Sequence, residues 1–391
     1  MKIAIIGQGA LGLFLSILVM KKHPKYDVTI FDKNPNPGKK LYATGNGRCN
    51  LGNKVLDKNS YNDSLAKKLI EEYGVIDEAN FLKSLGIGTR FLDNLLYPYS
   101  LNSKTFVDYL VKLAKNYKVH LCNSEEVLSY SSDSKGVSIT TNKKSYIFDK
   151  AIFAPGAKSH KVFGSDGKIF ELLKAHKYKI TALKPGLAPI KTVENVRIIE
   201  NERLKCRVNL LIDNLEVYKE SGEVLFKRDG LSGICIFNVS SILARDPGYK
   251  TAVIKLDLFP DDVEDMLVKQ FEKDNKVSKW NFLEGYFSPK LAEYIRKISG
   301  CKNLMIFDST DLKKIVRTVK SMTFTYASSY SFDDSQVTVG GLEVSQLKDS
   351  FESKTEKNVY FAGEVLNLDG LCGGYNLMLC YCEAKKISEN I

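Results

Sequence analysis

The apolar residues of this chain change their period several times. Residues 2–6 (KIAII) form a short β-branched run, the pattern of a strand covered on both faces. Glycines follow at once in 7–12 (GQGALG), and residues 10–22 read as a helix ending in Lys21 and Lys22, cations that suit the negative end of a helix dipole. Residues 27–31 are a second strand, closed by Asp32. Residues 61–73 and 77–85 read as helices, and Ser103 is placed to cap a helix over 104–116. Short alternating segments at 119–121, 126–130, 137–141 and 145–148 read as strands, and 150–154 as a buried strand ending in Pro155-Gly156. From about residue 185 strand-like segments crowd together, at 187–192, 206–212, 214–218, 223–226, 234–239 and 251–257, which predicts a small β-barrel or sandwich. Residues 261–315 turn helical, and 319–326 return to β character. The chain ends with VTVGG at 337–341, a strand at 358–362 and a helix over 375–388.

Strand, glycine turn, helix, strand, acid is the order of a dinucleotide-binding unit, and Asp32 stands at the ~20-residue distance such a unit requires. Gly7 makes the tight turn, Gly9 leaves room for phosphates, and Gly12 lets the helix pack on the strand. The helix N-terminus offers N–H groups to a pyrophosphate, and Asp32 accepts from a ribose hydroxyl. This half-site does not separate FAD from NAD. The far end does: Gly363-Glu364 closes a strand where a carboxylate can hold a ribityl chain, and Gly373-Gly374 opens a helix whose positive end suits the pyrimidine edge of a reduced flavin.

Composition narrows the class. Hydrophobic residues are 44% and charged residues 26%, as in ordinary soluble domains, and no apolar run reaches membrane-spanning length. The N-terminal apolar stretch is interrupted by three glycines and Gln8, which argues against a signal peptide. The net charge of +11 is carried mostly by scattered Lys rather than by Arg clusters, so a solvated surface is expected rather than a nucleic-acid or membrane partner. Eight Cys show no CxxC and no zinc spacing, so no metal site is expected, and their apolar settings point to a reducing, cytoplasmic compartment. Cys49 lacks a nearby partner for a disulfide, so packing is expected of it, as it is of Tyr97 and Tyr375, the two tyrosines placed to act as acids beside a flavin.

Three stretches, GKKLYATGNGRCN (38–50), VTVGG (337–341) and YFAGEVLNLDGLCGGYNL (360–377), resemble the BaiN/YhiN family of FAD-dependent oxidoreductases, also called aminoacetone-oxidase-like. LYPYSLNSKT (96–105) and Leu231-Ser232-Gly233 fit as well, so the resemblance runs the length of the chain. It implies an α/β protein: a glutathione-reductase-type, Rossmann-like FAD domain with an inserted small β-barrel and helical subdomain. The implied limits are 1–185 and 331–391 for the FAD domain, 186–257 for the barrel, 258–317 for the helices and 318–330 for a return strand. The resemblance implies non-covalent FAD held by Gly7, Gly9, Ala10, Gly12, Asp32, Lys33, Lys40, Gly45, Arg48, Cys49, Asn50, the backbone of Val127, Gly156, Gly363, Glu364, Gly374, Tyr375, Asn376 and Leu377. Two positions depart from the family's habit: Asp32 stands for the commoner Glu, and Met378-Leu379-Cys380-Tyr381 follows Leu377. The expected activity is hydride transfer through flavin N5 to a small organic substrate, with NADH or NADPH as transient donor because no second GxGxxG exists. Two alternatives stay open: a flavoprotein that binds or modifies RNA, and a flavin redox sensor without turnover.

Overall fold

A computed structural model describes residues 1–56, 60–246, 248–278, 281–301 and 307–391. The chain divides into two units, Met1–Lys184 with Gln336–Ile391, and Pro185–Ser335.

The first unit is built on a five-stranded parallel sheet in the order Val359–Phe361, Lys150–Phe153, Lys2–Ile6, Asp27–Asp32, His120–Asn123. The first helix, Ala10–Lys22, is apolar almost all round, and Leu11 through Met20 are all buried. Such a helix must be covered on more than one side. It packs against the C-terminal helix, Tyr375–Asn390, so the two ends of the chain share one core. The antiparallel strands Val127–Asp133, Gly136–Thr141 and Ser145–Phe148 form a separate meander. A third small sheet, Gly52–Asn53, Leu95–Pro98 and Thr89–Leu92, stands beside the start of the C-terminal helix, as Asn53 Nδ2 donating to Gly373 O at 3.2 Å shows. The helix at Ser103–Asn116 is capped by Asn102, whose Oδ1 accepts from Thr105 N–H, and not by Ser103, whose Oγ donates instead to Tyr42 O.

The second unit contains a closed barrel of six antiparallel strands: Ile190–Thr192, Gly230–Ser232, Leu215–Lys227, Arg203–Ile212, Ala252–Asp257 and Met322–Ser329. The segments expected as separate strands at 214–218 and 223–226 are one continuous strand. The segment expected as a strand at 234–239 is a helix, Ile234–Arg245. Its buried positions, Cys235, Ile236, Val239 and Leu243, recur at helical spacing, and the continuous apolar run Ile-Cys-Ile at 234–236 hid that period. Helices Glu264–Val277, Pro289–Ile298 and Ser309–Lys320 follow; residues 279–280 and 302–306 of the expected helical region lie outside the described residues. The last of these helices runs past the expected boundary at 317. Barrel and helices share one core, in which Phe226, Ile254 and Phe324 lie with Val239, Phe271, Ile295 and Val319.

Candidate active site: a cofactor cradle in the first unit

The glycine turn separates what the fold needs from what a ligand needs. A Cβ at Gly7, whose φ is +112°, would lie 2.2 Å from Ala154 O, and one at Gly12 would lie 2.0 Å from Gly7 O. Both glycines are therefore demanded by the protein's own backbone. A Cβ at Gly9 would meet nothing within 4 Å. That open space faces the start of the first helix, whose first internal bond is Leu13 N–H to Gly9 O, so Ala10 and Leu11 present open amides there.

Asp32 sits where the second strand meets this turn. Its carboxylate accepts from Gln8 N–H and Asn34 N–H, both at 2.8 Å. Glu125 N–H donates to Asp32 O, which brings the start of the Val127 strand alongside. Lys33 is paired with Asp166 at 2.9 Å. Gly156, at φ +79°, lies in the loop after the Lys150–Phe153 strand, beside Ser165.

The loop at 38–50 is drawn across the glycine turn, since Gly38 N–H donates to Gln8 O at 2.7 Å. Lys40 Nζ reaches Glu364 Oε2 at 2.5 Å and Ser159 Oγ at 2.6 Å. Glu364 Oε1 also accepts from Ser159 Oγ at 2.5 Å and Thr338 N–H at 3.0 Å. Segments from four distant parts of the sequence thus meet at one carboxylate. Gly45 O accepts from Arg48 N–H and Thr44 O from Cys49 N–H. The Arg48 side chain is exposed and has no partner among the described residues. Cys49 is fully buried, and burial pushes its thiol up to about 12, with Glu78 adding to the rise. It is a packing residue rather than a thiolate nucleophile.

The C-terminal helix opens at Gly374, φ +91°, and a Cβ there would collide with Asn50 Oδ1 and the backbone of Gly52. Its first internal bond is Met378 N–H to Gly374 O, so the amides of Tyr375, Asn376 and Leu377 are open at the positive end of the dipole. The side chain of Asn376 is spent on the preceding loop: it accepts from Gly370 N–H and donates to Gly370 O. Tyr375 is tied in the same way, donating to Val55 O while its carbonyl accepts from Tyr61 Oη. Asn50 Oδ1 is buried without a partner, an acceptor suited to a hydroxyl or ring N–H. The open space at Gly9, the open amides at both helix starts and this orphaned acceptor fit a flavin dinucleotide.

Beneath this surface lie two buried carboxyls, Glu383 and Glu78, that no local pattern singles out. Glu383 Oε2 accepts from Gly363 N–H, Oε1 has no partner, and burial pushes the group up to about 8. Glu78 has no partner for either oxygen; burial, reinforced by Asp77, holds it far above the carboxylate range. Ser159 and Thr338 were missed as well. Thr338 lies inside the VTVGG stretch, but nothing in its neighbours signals that its Oγ1 accepts from Lys158 and Ser159 N–H.

All eight cysteines are free, and among the described residues no helix is long and apolar enough to cross a membrane. In a comparison with known proteins, the chain is 28% identical to a 3-dehydro-bile acid delta(4,6)-reductase from Clostridium scindens, covering 96% of this chain and 95% of that one. It is 23% identical to a ribosomal RNA dihydrouridine synthase of Escherichia coli, over 99% of this chain and 97% of that one. A ribosomal RNA dihydrouridine synthase of Haemophilus influenzae is 22% identical, over 97% and 96%. The model of the family described as HI0933-like protein Rossmann domain matches residues 1–390, and the chain belongs to that family, whose fold is of the FAD-binding Rossmann type and whose chemistry is that of a flavin-dependent oxidoreductase.

Proposed function

We propose that this protein uses non-covalent FAD to reduce a carbon–carbon double bond conjugated to a carbonyl group in a small organic molecule, with NADH or NADPH as donor. The observation that carries the reading is the pairing, in one unit, of the open cradle at Gly9 with the open first-turn amides at Tyr375–Leu377. The first suits a pyrophosphate. The second suits the electron-rich pyrimidine edge of a reduced flavin and so favours reduction.

When bound, the flavin supplies a hydride from N5. The chain's own residues hold and orient it. Ala10, Leu11 and Gly12 take the pyrophosphate with Gly9, and Asp32 takes the adenosine ribose. Lys33, Gly156 and the Val127 backbone border that end. Lys40 and Glu364 form a fixed ion pair along the ribityl chain; Glu364 keeps one acceptor position on Oε2 and Lys40 one donor. Gly45, the backbone of Arg48 and Asn50 border the flavin from this loop, with Asn50 Oδ1 offering an acceptor, while Cys49 packs beneath them.

The substrate class rests on what the relatives' names have in common. A 3-oxo-Δ4,6 bile acid and the uracil ring of uridine both carry a C=C conjugated to C=O, and both named reactions saturate such a bond. The second reading is therefore uridine in RNA; the two dihydrouridine synthases and the net charge of +11 favour it. A cytoplasmic setting fits the free cysteines. The test is anaerobic. Reduce the purified protein with NADH or NADPH, then add a 3-oxo-4-ene steroid acid or an rRNA fragment. Reoxidation of the flavin by the steroid supports the leading reading, and reoxidation by RNA alone supports the second. A reduced flavin that neither substrate reoxidises, while oxygen does, contradicts both.

A further inference from the structure

The side chains of Tyr97, Arg48 and Cys372 stand on segments that meet beside Gly373-Gly374, and the cofactor contacts leave them unused. Tyr97 lies on the strand Leu95–Pro98, two residues along from Leu95, which pairs with Asn53. Asn53 in turn donates to Gly373 O. The Tyr97 phenol is half-buried and has no hydrogen-bond partner among the described residues. Leu51 N–H donates to Leu96 O at 2.8 Å, which brings the end of the loop that carries Arg48, exposed and likewise unpartnered, to this strand. Arg48 and Cys372, just before the glycine pair, are the two ionisable groups that act on Tyr97 electrostatically. Cys372 is itself near Gln336 Oε1, at 3.9 Å. Tyr375, the other tyrosine at this turn, is tied to Val55 O.

An unpartnered phenol within electrostatic reach of an unpartnered guanidinium has a chemical use. Resting on the reading above, we infer that Arg48 and Tyr97 form the substrate-side site, Arg48 binding the carbonyl oxygen and Tyr97 donating the proton to the α-carbon. The β-carbon takes up the hydride and forms a new C–H bond. The π pair of the C=C moves to place negative charge on the carbonyl oxygen, where Arg48 holds it. As the C=O re-forms, the α-carbon takes the proton of Tyr97 Oη, and the phenolate recovers a proton from solvent. Substrate gains two electrons and two hydrogens, and a nicotinamide restores the reduced cofactor. Burial holds the Tyr97 phenol above its ordinary value, Arg48 pulling it down and Cys372 pushing it up, so it enters the reaction protonated.

Two measurements test this, one of them independent of turnover. para-Nitrophenol, whose phenolate mimics an enolate oxygen, is titrated into the oxidised, flavin-loaded protein while the visible spectrum is followed. Binding weakened about ten- to a hundredfold in Arg48→Gln is expected for a lost charged contact. Equal binding by Arg48→Gln, or no binding by the wild type, overturns the Arg48 site whatever the substrate proves to be. Separately, photochemically reduced protein is mixed with a 3-oxo-4-ene steroid acid, or with uridine. Tyr97→Phe should slow reoxidation by about a hundredfold or more, the usual contribution of a positioned acid, with its bound-flavin spectrum intact. Reoxidation at the wild-type rate overturns the role of Tyr97. If no such compound reoxidises the wild type, the proposed reaction falls and the proton donation falls with it, while the phenolate titration still decides the oxyanion site.

Discussion

Replacing Glu383 by Gln should make the protein more stable at pH 8 and change it little at pH 5. In the folded protein Glu383 is fully buried, its Oε2 accepts from Gly363 N–H, and burial raises it from the ordinary 4.5 to about 8. The folded state therefore binds this proton more tightly than the unfolded chain does. Below about pH 4.5 both states carry the proton and there is no penalty. Between about 4.5 and about 8 only the folded state carries it, so stability falls as pH rises through that window and levels off above it. At 1.36 kcal/mol per pKa unit, the full fall is roughly 5 kcal/mol. Gln keeps an acceptor for Gly363 N–H and removes the titration. The assay is thermal unfolding of both proteins at matched flavin content from pH 5 to pH 8.5. At roughly 2–4 °C per kcal/mol for a unit of this size, the variant's advantage should grow by on the order of 10 °C or more across the range. Glu78 and the other titrating groups are common to both proteins and drop out of the difference. A difference in Tm that does not change with pH would refute the burial argument.

The remaining predictions concern the cradle. Gly9→Thr, which keeps a competent helix cap, should fold with stability within about 0.5 kcal/mol of wild type but lose flavin occupancy; Gly12→Ala should fail to fold stably, because its Cβ meets Gly7 O at 2.0 Å. Equal flavin retention in a folded Gly9→Thr protein would show that no ligand uses that space. Glu364→Ala removes the acceptor of Lys40, Ser159 and Thr338 N–H, so flavin affinity should drop about ten- to a hundredfold, read by equilibrium dialysis. Its Tm should fall too; unchanged affinity would place the ribityl chain elsewhere. Cys49, with its thiol pushed up to about 12, should resist iodoacetamide at pH 8 in the folded protein, as peptide mapping would reveal.

The parts of the fold that local pattern dictates were readable from residues alone. The strand at 2–6 and the helix at 10–22 end where periodicity and the two terminal lysines place them, because short-range sterics and burial decide both. The Ile234–Arg245 helix was not readable: its leading residues favour a strand, and only packing in the second unit's core selects the helix. In the site, Gly7 and Gly12 announce themselves because a turn or a close approach leaves no alternative. The Lys40–Glu364–Ser159–Thr338 cluster does not, since its members lie far apart in sequence and meet only once the sheet has formed. Asn376 shows the converse. It sits in a motif that implies a cofactor contact, yet its side chain braces the Gly370 loop and leaves only its backbone amide for a ligand.

The identity of the bound chromophore tests the reading of this site most directly. Purified protein is denatured, and the released small molecule is separated by chromatography against FAD, FMN and NAD standards. The adenosine half-site at Gly7–Asp32, joined through Lys40 and Glu364 to the open amides at Tyr375–Leu377, predicts about one FAD per chain, released intact. FMN, NAD or no chromophore would contradict it.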